Sequence, residues 1–315
     1  MAASPKPQTP PAEVGHAPKR PTRFSRREWV AVFKRTFQEF MADDCMGLAQ
    51  QVAYSSLLAF FPAIVALIGL LDLINAYDAL QSFLNPVAPK AVTDLIQTFQ
   101  KDTGGGGSIV ALVAGVFGAV WAASGAMGTI VNAVNRASDR TETRPFWKVR
   151  VIAIVLVVAT GIVTAGMLLL IVLGGTLGDA IARKAKLGGA WSWIWNLARW
   201  PLAFCIVLLL FALIYYLAPN KDQRRWEWVT PGSLIGGVMW LALSGLFALY
   251  TTFSDSYTKT YGSLAGGIVL LLWLNYTAWA ILFGAELNSE LDQQADIHAA
   301  GGEAAGLVKP ARRTA

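Results

Sequence analysis

The sequence predicts an all-α fold: a polytopic integral membrane protein with six transmembrane helices and both termini cytoplasmic. Three observations predict it. Of the 315 residues, 55% are hydrophobic and only 15% charged, against about 25% charged in an ordinary soluble domain. The charges are also gathered. None falls within 45–71, 103–135, 151–178, 200–220, 228–254 or 260–285, and each run is long enough to cross about 30 Å of hydrocarbon as a helix. Finally, Lys and Arg alternate in density: the N-terminal segment, 136–150, 219–229 and the C-terminal tail hold nineteen of them, and the three intervening loops seven. That asymmetry marks the richer set as cytoplasmic.

Residues 1–25, rich in Pro and Ala and without an apolar core or cleavage pattern, are expected to be a disordered cytoplasmic tail. Over 26–41, Trp29, Val32, Phe33, Phe37 and Phe40 recur at helical spacing opposite Arg27, Lys34, Arg35 and Gln38. This is the pattern of a basic amphipathic helix lying on the inner leaflet. The first span is predicted over Leu48–Leu73, with Pro62 expected to kink it. Residues 75–103 are too polar to span, and their two short amphipathic patterns around Pro86 and Pro89 are assigned to the outer surface. The Gly104–Gly107 run leads into the second span, Ser108–Val134, and the third is Val151–Leu173. A basic loop then reaches Trp191, Trp193, Trp195 and Trp200, an aromatic girdle of the membrane interface. The fourth, fifth and sixth spans are Pro201–Leu217, Gly232–Phe253 and Leu264–Phe283. The membrane domain therefore covers 26–291, and the Ala- and Gly-rich 292–315 is expected to be a second disordered cytoplasmic tail.

One integral domain leaves no room for a separate soluble one, so any activity belongs to the bilayer. The two histidines, His16 and His298, both lie in predicted tails, which leaves no zinc constellation and no base for a serine or cysteine nucleophile. Cys45 and Cys205 are too far apart in this layout for a disulfide. The expectation is no enzyme, no catalytic residue, no metal ligand and no cofactor. The net charge of +6 sits in short segments beside spans rather than on one soluble face. Membrane lipids, not nucleic acid, are the expected partners. No charged side chain falls in mid-span, which disfavours proton or ion coupling.

Uncharged polarity remains as the candidate chemistry. Tyr54 and Ser55 on the first span, Ser124 and Asn132 on the second, and Asn275 and Tyr276 on the sixth are candidates to line a path for an amphiphile. The alternative is that they stitch helices together by hydrogen bonds worth about 0.6 kcal/mol each. Arg136, Arg144, Lys148 and Arg150 are candidates to hold an anionic head group, or else they anchor the third span at the interface. Glu286, one turn from Glu290, is a candidate gate that would pair with Arg136, Arg144 or Lys148; the alternative is a helix end in water. Ser124/Gly128, Gly232/Gly236 and Gly262/Gly266 are small pairs at spacing four, predicting close helix approach.

The runs DDCMGLAQQVAYSSLLAFFP at 43–62, WAASGAMGTIVNAVNR at 121–136, RPFWKVR at 144–150 and YGSLAGGIVLLLWLNYTAWAILFGAELNSEL at 261–291 resemble the YihY/BrkB family of bacterial inner-membrane proteins. LAPN at 217–220, WEW at 226–228 and PG at 231–232 agree with it. The resemblance covers roughly residues 30–291 in order. It implies six spans in a bacterial cytoplasmic membrane and leaves the activity open; some members are named for virulence or serum resistance. An old family label, ribonuclease BN, has no support in these residues. The resulting expectation is transport or accommodation of a lipid or other amphiphilic envelope molecule. The alternative is a non-transporting scaffold or partner-binding protein.

Overall fold

A computed structural model describes residues 24–73, 108–168, 170, 184, 189–220, 230–253 and 264–299. The elements among them are helices: α1 (Arg26–Ala42), α2 (Cys45–Leu73), α3 (Ser108–Ala137), α4 (Phe146–Leu168), α5 (Gly189–Leu217), α6 (Pro231–Phe253) and α7 (Leu264–Ala299). Among the described residues, α3 to α7 are the five helices long and apolar enough to cross a membrane. The amphipathic patterns expected in 75–103, and the tails before residue 24 and after residue 299, lie outside the described residues.

Local chemistry sets the helix ends. α1 starts where the Glu28 N–H donates to Ser25 Oγ (3.3 Å) and the Ser25 N–H donates to Glu28 Oε2 (2.6 Å), a reciprocal cap. It stops at Asp43, and Asp44 takes a φ of 53°, a region Asp tolerates better than most residues. Asp44 Oδ1 then accepts the Gly47 N–H at 3.3 Å, capping α2. A Cβ at Gly47 would collide with that carboxylate. The paired acids 43–44 are therefore an elbow between two helices. α3 ends in the same spirit: Asp139 has φ 51°, and the N–H groups of Asp139 and Arg140 reach back to the carbonyls of Arg136 (3.0 Å) and Asn135 (2.8 Å).

α7 is the hub, packing on α1, α2, α3 and α6; α2 lies along α3, α4 joins α3 to α5, and α5 packs on α6. Val131 and Val134 of α3, Leu156 of α4, Phe211 of α5 and Leu282 of α7 meet in the core. α6 crosses α7 at glycines. A Cβ on Gly236 would lie 2.9 Å from the Ala280 carbonyl oxygen, and Gly232 and Gly284 each back onto the other's carbonyl. The Tyr215 hydroxyl donates to the Ile281 carbonyl at 2.8 Å beside this crossing. Of the small pairs noted in the sequence, Gly232/Gly236 marks such an approach, while Gly262 lies outside the described residues. A Cβ on Gly128 or Gly266 would meet open space.

Three boundaries differ from the sequence reading. α4 begins at Phe146 rather than Val151, because the Pro145 carbonyl accepts the N–H groups of Lys148 (2.9 Å) and Val149 (3.3 Å); the interfacial anchor is its first turn. α5 runs through Pro201 from Gly189, so the tryptophan girdle is helical; a membrane helix tolerates an internal Pro that a soluble one rejects. α7 continues past Phe283 and Leu291 to Ala299, because its last turns are a packing surface.

That surface holds α1. Val32, fully buried, packs on Leu287 and Leu291, and the rings of Phe40 and Phe283 are 5.8 Å apart. Arg35 pairs with Glu290 (2.9 Å) and donates to Gln294. Arg35→Ala removes both, a loss of about 1.5–3 kcal/mol for charge-assisted bonds. Amide exchange across 26–42 is expected to accelerate roughly tenfold or more while that of α5 stays unchanged; equal rates in the variant would refute the docking role.

Candidate functional site

The polar candidates divide by placement. Tyr54 of α2 is 61% exposed and Asn132 of α3 is exposed, while Ser55 and Asn275 are half-buried. Ser124 is buried and its hydroxyl donates to the Trp121 carbonyl of its own helix at 2.8 Å. The Tyr276 ring sits in an aromatic cluster, 5.7 Å from Phe247 and 5.3 Å from Trp279. Ser124 and Tyr276 thus serve packing, whereas Tyr54 and Asn132 face outward.

The basic candidates divide as well. Arg136 and Lys148 are exposed, with Lys148 Nζ 5.5 Å from the Trp147 ring. Arg144 is not available to a head group. Its Nε donates to Glu142 Oε1 (2.8 Å) and its Nη2 to Glu142 Oε2, forming a two-point ion pair. Nη2 and Nη1 also reach the carbonyls of Ala218 (2.8 Å) and Leu217 (3.3 Å) at the end of α5. The guanidinium is a cap for α5, where a cation suits the helix terminus.

Around it stands a polar clamp that the sequence reading missed. Asn135, 2% exposed, donates Nδ2–H to Glu142 Oε2 (2.7 Å) and accepts the Asn220 N–H on Oδ1 (2.7 Å). Asn220 Nδ2 donates to Thr143 Oγ1 (2.8 Å) and to the Thr141 carbonyl (3.0 Å). The Arg144 guanidinium beside Glu142 holds that carboxyl below its ordinary value, outweighing the opposing effect of burial. The signal was present: Asn135 and Asn220 are polar residues closing the apolar runs of the second and fourth spans.

Arg150 does something else. Its guanidinium carbon lies 3.9 Å from the Trp121 ring centroid and 6.0 Å from that of Phe146, and Nη2 donates to the Trp121 carbonyl at 3.0 Å. Trp121 is inside the membrane-crossing stretch Val116–Ala137 of α3. The one charged residue of that stretch, Arg136, is next to its end, and a second charge is supplied laterally by α4 at Trp121; a span with no charged residue in mid-span thus has a guanidinium against its side.

Glu286, 2% exposed, accepts a hydrogen bond from the Cys45 thiol, with Sγ at 3.6 Å. Burial pushes the Cys45 thiol up from its ordinary value and Glu286 adds to the effect, so this cysteine is a thiol donor rather than a nucleophile. Among the described residues Glu286 forms no ion pair with Arg136, Arg144 or Lys148; the expected gate pair is replaced by Arg35–Glu290 and Arg144–Glu142. Among the described residues no group of three or more His, Cys, Asp or Glu side chains is placed to hold a metal ion.

Comparison with known proteins fits this architecture. The chain is 27% identical over 266 residues to the ribonuclease-like protein YfkH of Bacillus subtilis, covering 84% of this chain and 96% of that protein. It is 26% identical over 261 residues to a UPF0761 membrane protein of Aromatoleum aromaticum, covering 80% of this chain and 61% of the relative. A UPF0761 membrane protein of Xanthomonas campestris is 26% identical over 282 residues, covering 85% of this chain and 63% of the relative. The chain thus spans somewhat less than two thirds of these two UPF0761 proteins. No solved structure matches it. The profile of the family described as Virulence factor BrkB matches residues 36–306; with its apolar helices and these relatives, this multi-pass membrane protein belongs to the BrkB virulence factor family.

Proposed function

We propose that the chain is a six-span protein of the bacterial inner membrane, with both termini cytoplasmic, that moves or accommodates a lipid or other amphiphilic envelope molecule and is not an enzyme. α2 supplies the sixth crossing through Leu48–Leu73, whose one charged residue, Asp72, is next to its end. Tyr54 and Asn132 carry the amphiphile reading. Both are exposed, on helices that pack together, and neither hydrogen-bonds to a described residue. Polar groups that serve packing turn inward, as Ser124 does. A hydroxyl and an amide turned toward hydrocarbon are costly until a polar part of a lipid meets them. Exposed Arg136 and Lys148 add positive charge for an anionic head.

A second reading, a scaffold that binds lipid or a cytoplasmic partner without moving it, is favoured by the internal roles of Ser124, Tyr276 and Arg144. Reconstitution separates the two. Vesicles containing the purified protein are expected to show faster transbilayer movement of labelled lipid than empty vesicles. Tyr54→Phe combined with Asn132→Leu is expected to slow it roughly tenfold, the loss of one or two hydrogen bonds to a polar head. No acceleration across several head groups would leave the scaffold. Protein purified free of contaminating nucleases is expected to leave RNA intact with magnesium or zinc added.

A further inference from the structure

Arg150 carries a charge that the described protein does not neutralise. It forms no ion pair with a described carboxylate, and its Nε is shut off from solvent with no hydrogen-bond partner. Only Nη2 is engaged, by the Trp121 carbonyl. The surroundings are aromatic and open to the outside of the bundle: Trp121 is 56% exposed, Phe117 stacked on it at 6.3 Å is 70% exposed, and Phe146 is 73% exposed. Gly125 leaves room beside the guanidinium, since a Cβ there would stop 3.8 Å from Nη1. Arg150 is four residues into α4, about 6 Å along the helix from its first residue.

We propose that the groove between α3 and α4 is a binding site for the phosphate of an anionic membrane lipid, held by the Arg150 guanidinium with the acyl chains lying over Phe117, Trp121 and Phe146. An unneutralised guanidinium within a span costs several kcal/mol unless an anion or water reaches it. Stacking on Trp121 fixes its plane, and a fixed planar fork presents two parallel N–H groups to phosphate oxygens. The apolar, outward-facing walls exclude a hydrated soluble anion and accept a lipid arriving laterally. The site rests on the amphiphile reading only in that its ligand is a lipid, because a scaffold would hold the same molecule without moving it.

Native mass spectrometry of the full chain released from nanodiscs of phosphatidylglycerol or phosphatidylcholine tests it. The wild-type protein is expected to retain phosphatidylglycerol about tenfold more than phosphatidylcholine, the ratio of a charge-assisted pair to none. Arg150→Gln is expected to abolish the preference, and Arg150→Lys to keep only part of it, having charge without the planar stack. Arg199→Gln, which removes an arginine over Trp200 on α5, is expected to leave it intact. Equal retention of the two lipids by the wild-type protein overturns the proposal without any variant, which decides the matter if Arg150→Gln fails to fold. Wild-type retention in a folded Arg150→Gln protein overturns it too. Displacement of the lipid by inorganic phosphate at matched concentration would assign the site to a soluble anion and equally refute it. Retention without accelerated lipid movement keeps this site and rejects transport; movement without retention does the reverse.

Discussion

Gly284→Ala is expected to lower stability by about 2 kcal/mol or more, while Gly128→Ala, the same chemical change in another helix, is expected to raise it by up to about 1 kcal/mol. The difference lies in what the new methyl group meets. At Gly284 it strikes the Gly232 carbonyl oxygen and the Tyr215 hydroxyl. The first is backbone and has nowhere to go. The second is fixed by its bond to Ile281 and lies in the buried core. Relief requires α6 to move away from α7, which loses the packing along their length. At Gly128 the methyl enters open space, and only the backbone entropy of the unfolded chain changes. Thermal unfolding in detergent checks both: a lowered midpoint for Gly284→Ala with an unchanged or raised one for Gly128→Ala is expected. Equal midpoints would mean that the glycine crossing does not set the spacing of the two helices.

Arg144→Ala is expected to cost about 3 kcal/mol, the penalty of stranding a buried partner of an ion pair. The side chain is 10% exposed, and its loss leaves Glu142, Leu217 and Ala218 without the donor that joined them. Acid sensitivity supplies an independent readout. In the folded protein the Glu142 carboxyl lies below its ordinary value of 4.5, chiefly through its bond to Arg144. Between the folded and unfolded values the unfolded chain binds more protons, so this contribution is fully present above the unfolded value and is lost as pH falls through the folded one. The wild-type protein should therefore lose stability on acidification below about 4.5 more steeply than either Arg144→Ala or Glu142→Gln, which lack the pair at every pH. Parallel acid limbs for all three proteins would show that the pair does not hold the loop between α3 and α4 to the end of α5.

The membrane helices were legible in the sequence because charge is expensive in hydrocarbon, and six charge-free runs have few other causes. Their ends were less legible because hydropathy reports the solvent, not the helix. The tryptophan segment before Pro201 and the polar segment after Phe283 are as helical as the spans they extend. The chemistry of the basic residues was least legible. Arg144 and Arg150 are six residues apart and look alike in the sequence, yet one is spent on Glu142 and on carbonyls 73 and 74 residues away, and the other lies against a tryptophan 29 residues back. Nothing in spacing distinguishes a cation with internal partners from one without. Glu286 is the same lesson in reverse, its partner being a thiol 241 residues distant.

The clasp between α1 and α7 joins the first and the last of the described helices, and that sets an order of events during synthesis. Leu287, Leu291, Glu290 and Gln294 leave the ribosome only after α1 to α6 have been made, so Val32 and Arg35 wait through the synthesis of α2 to α6 without their seat. A ribosome stalled before residue 284 yields a nascent chain whose α1 keeps its contacts with α2 but lacks the seat that Leu287, Leu291 and Glu290 provide. Synthesis of α7 is thus the step that seats α1.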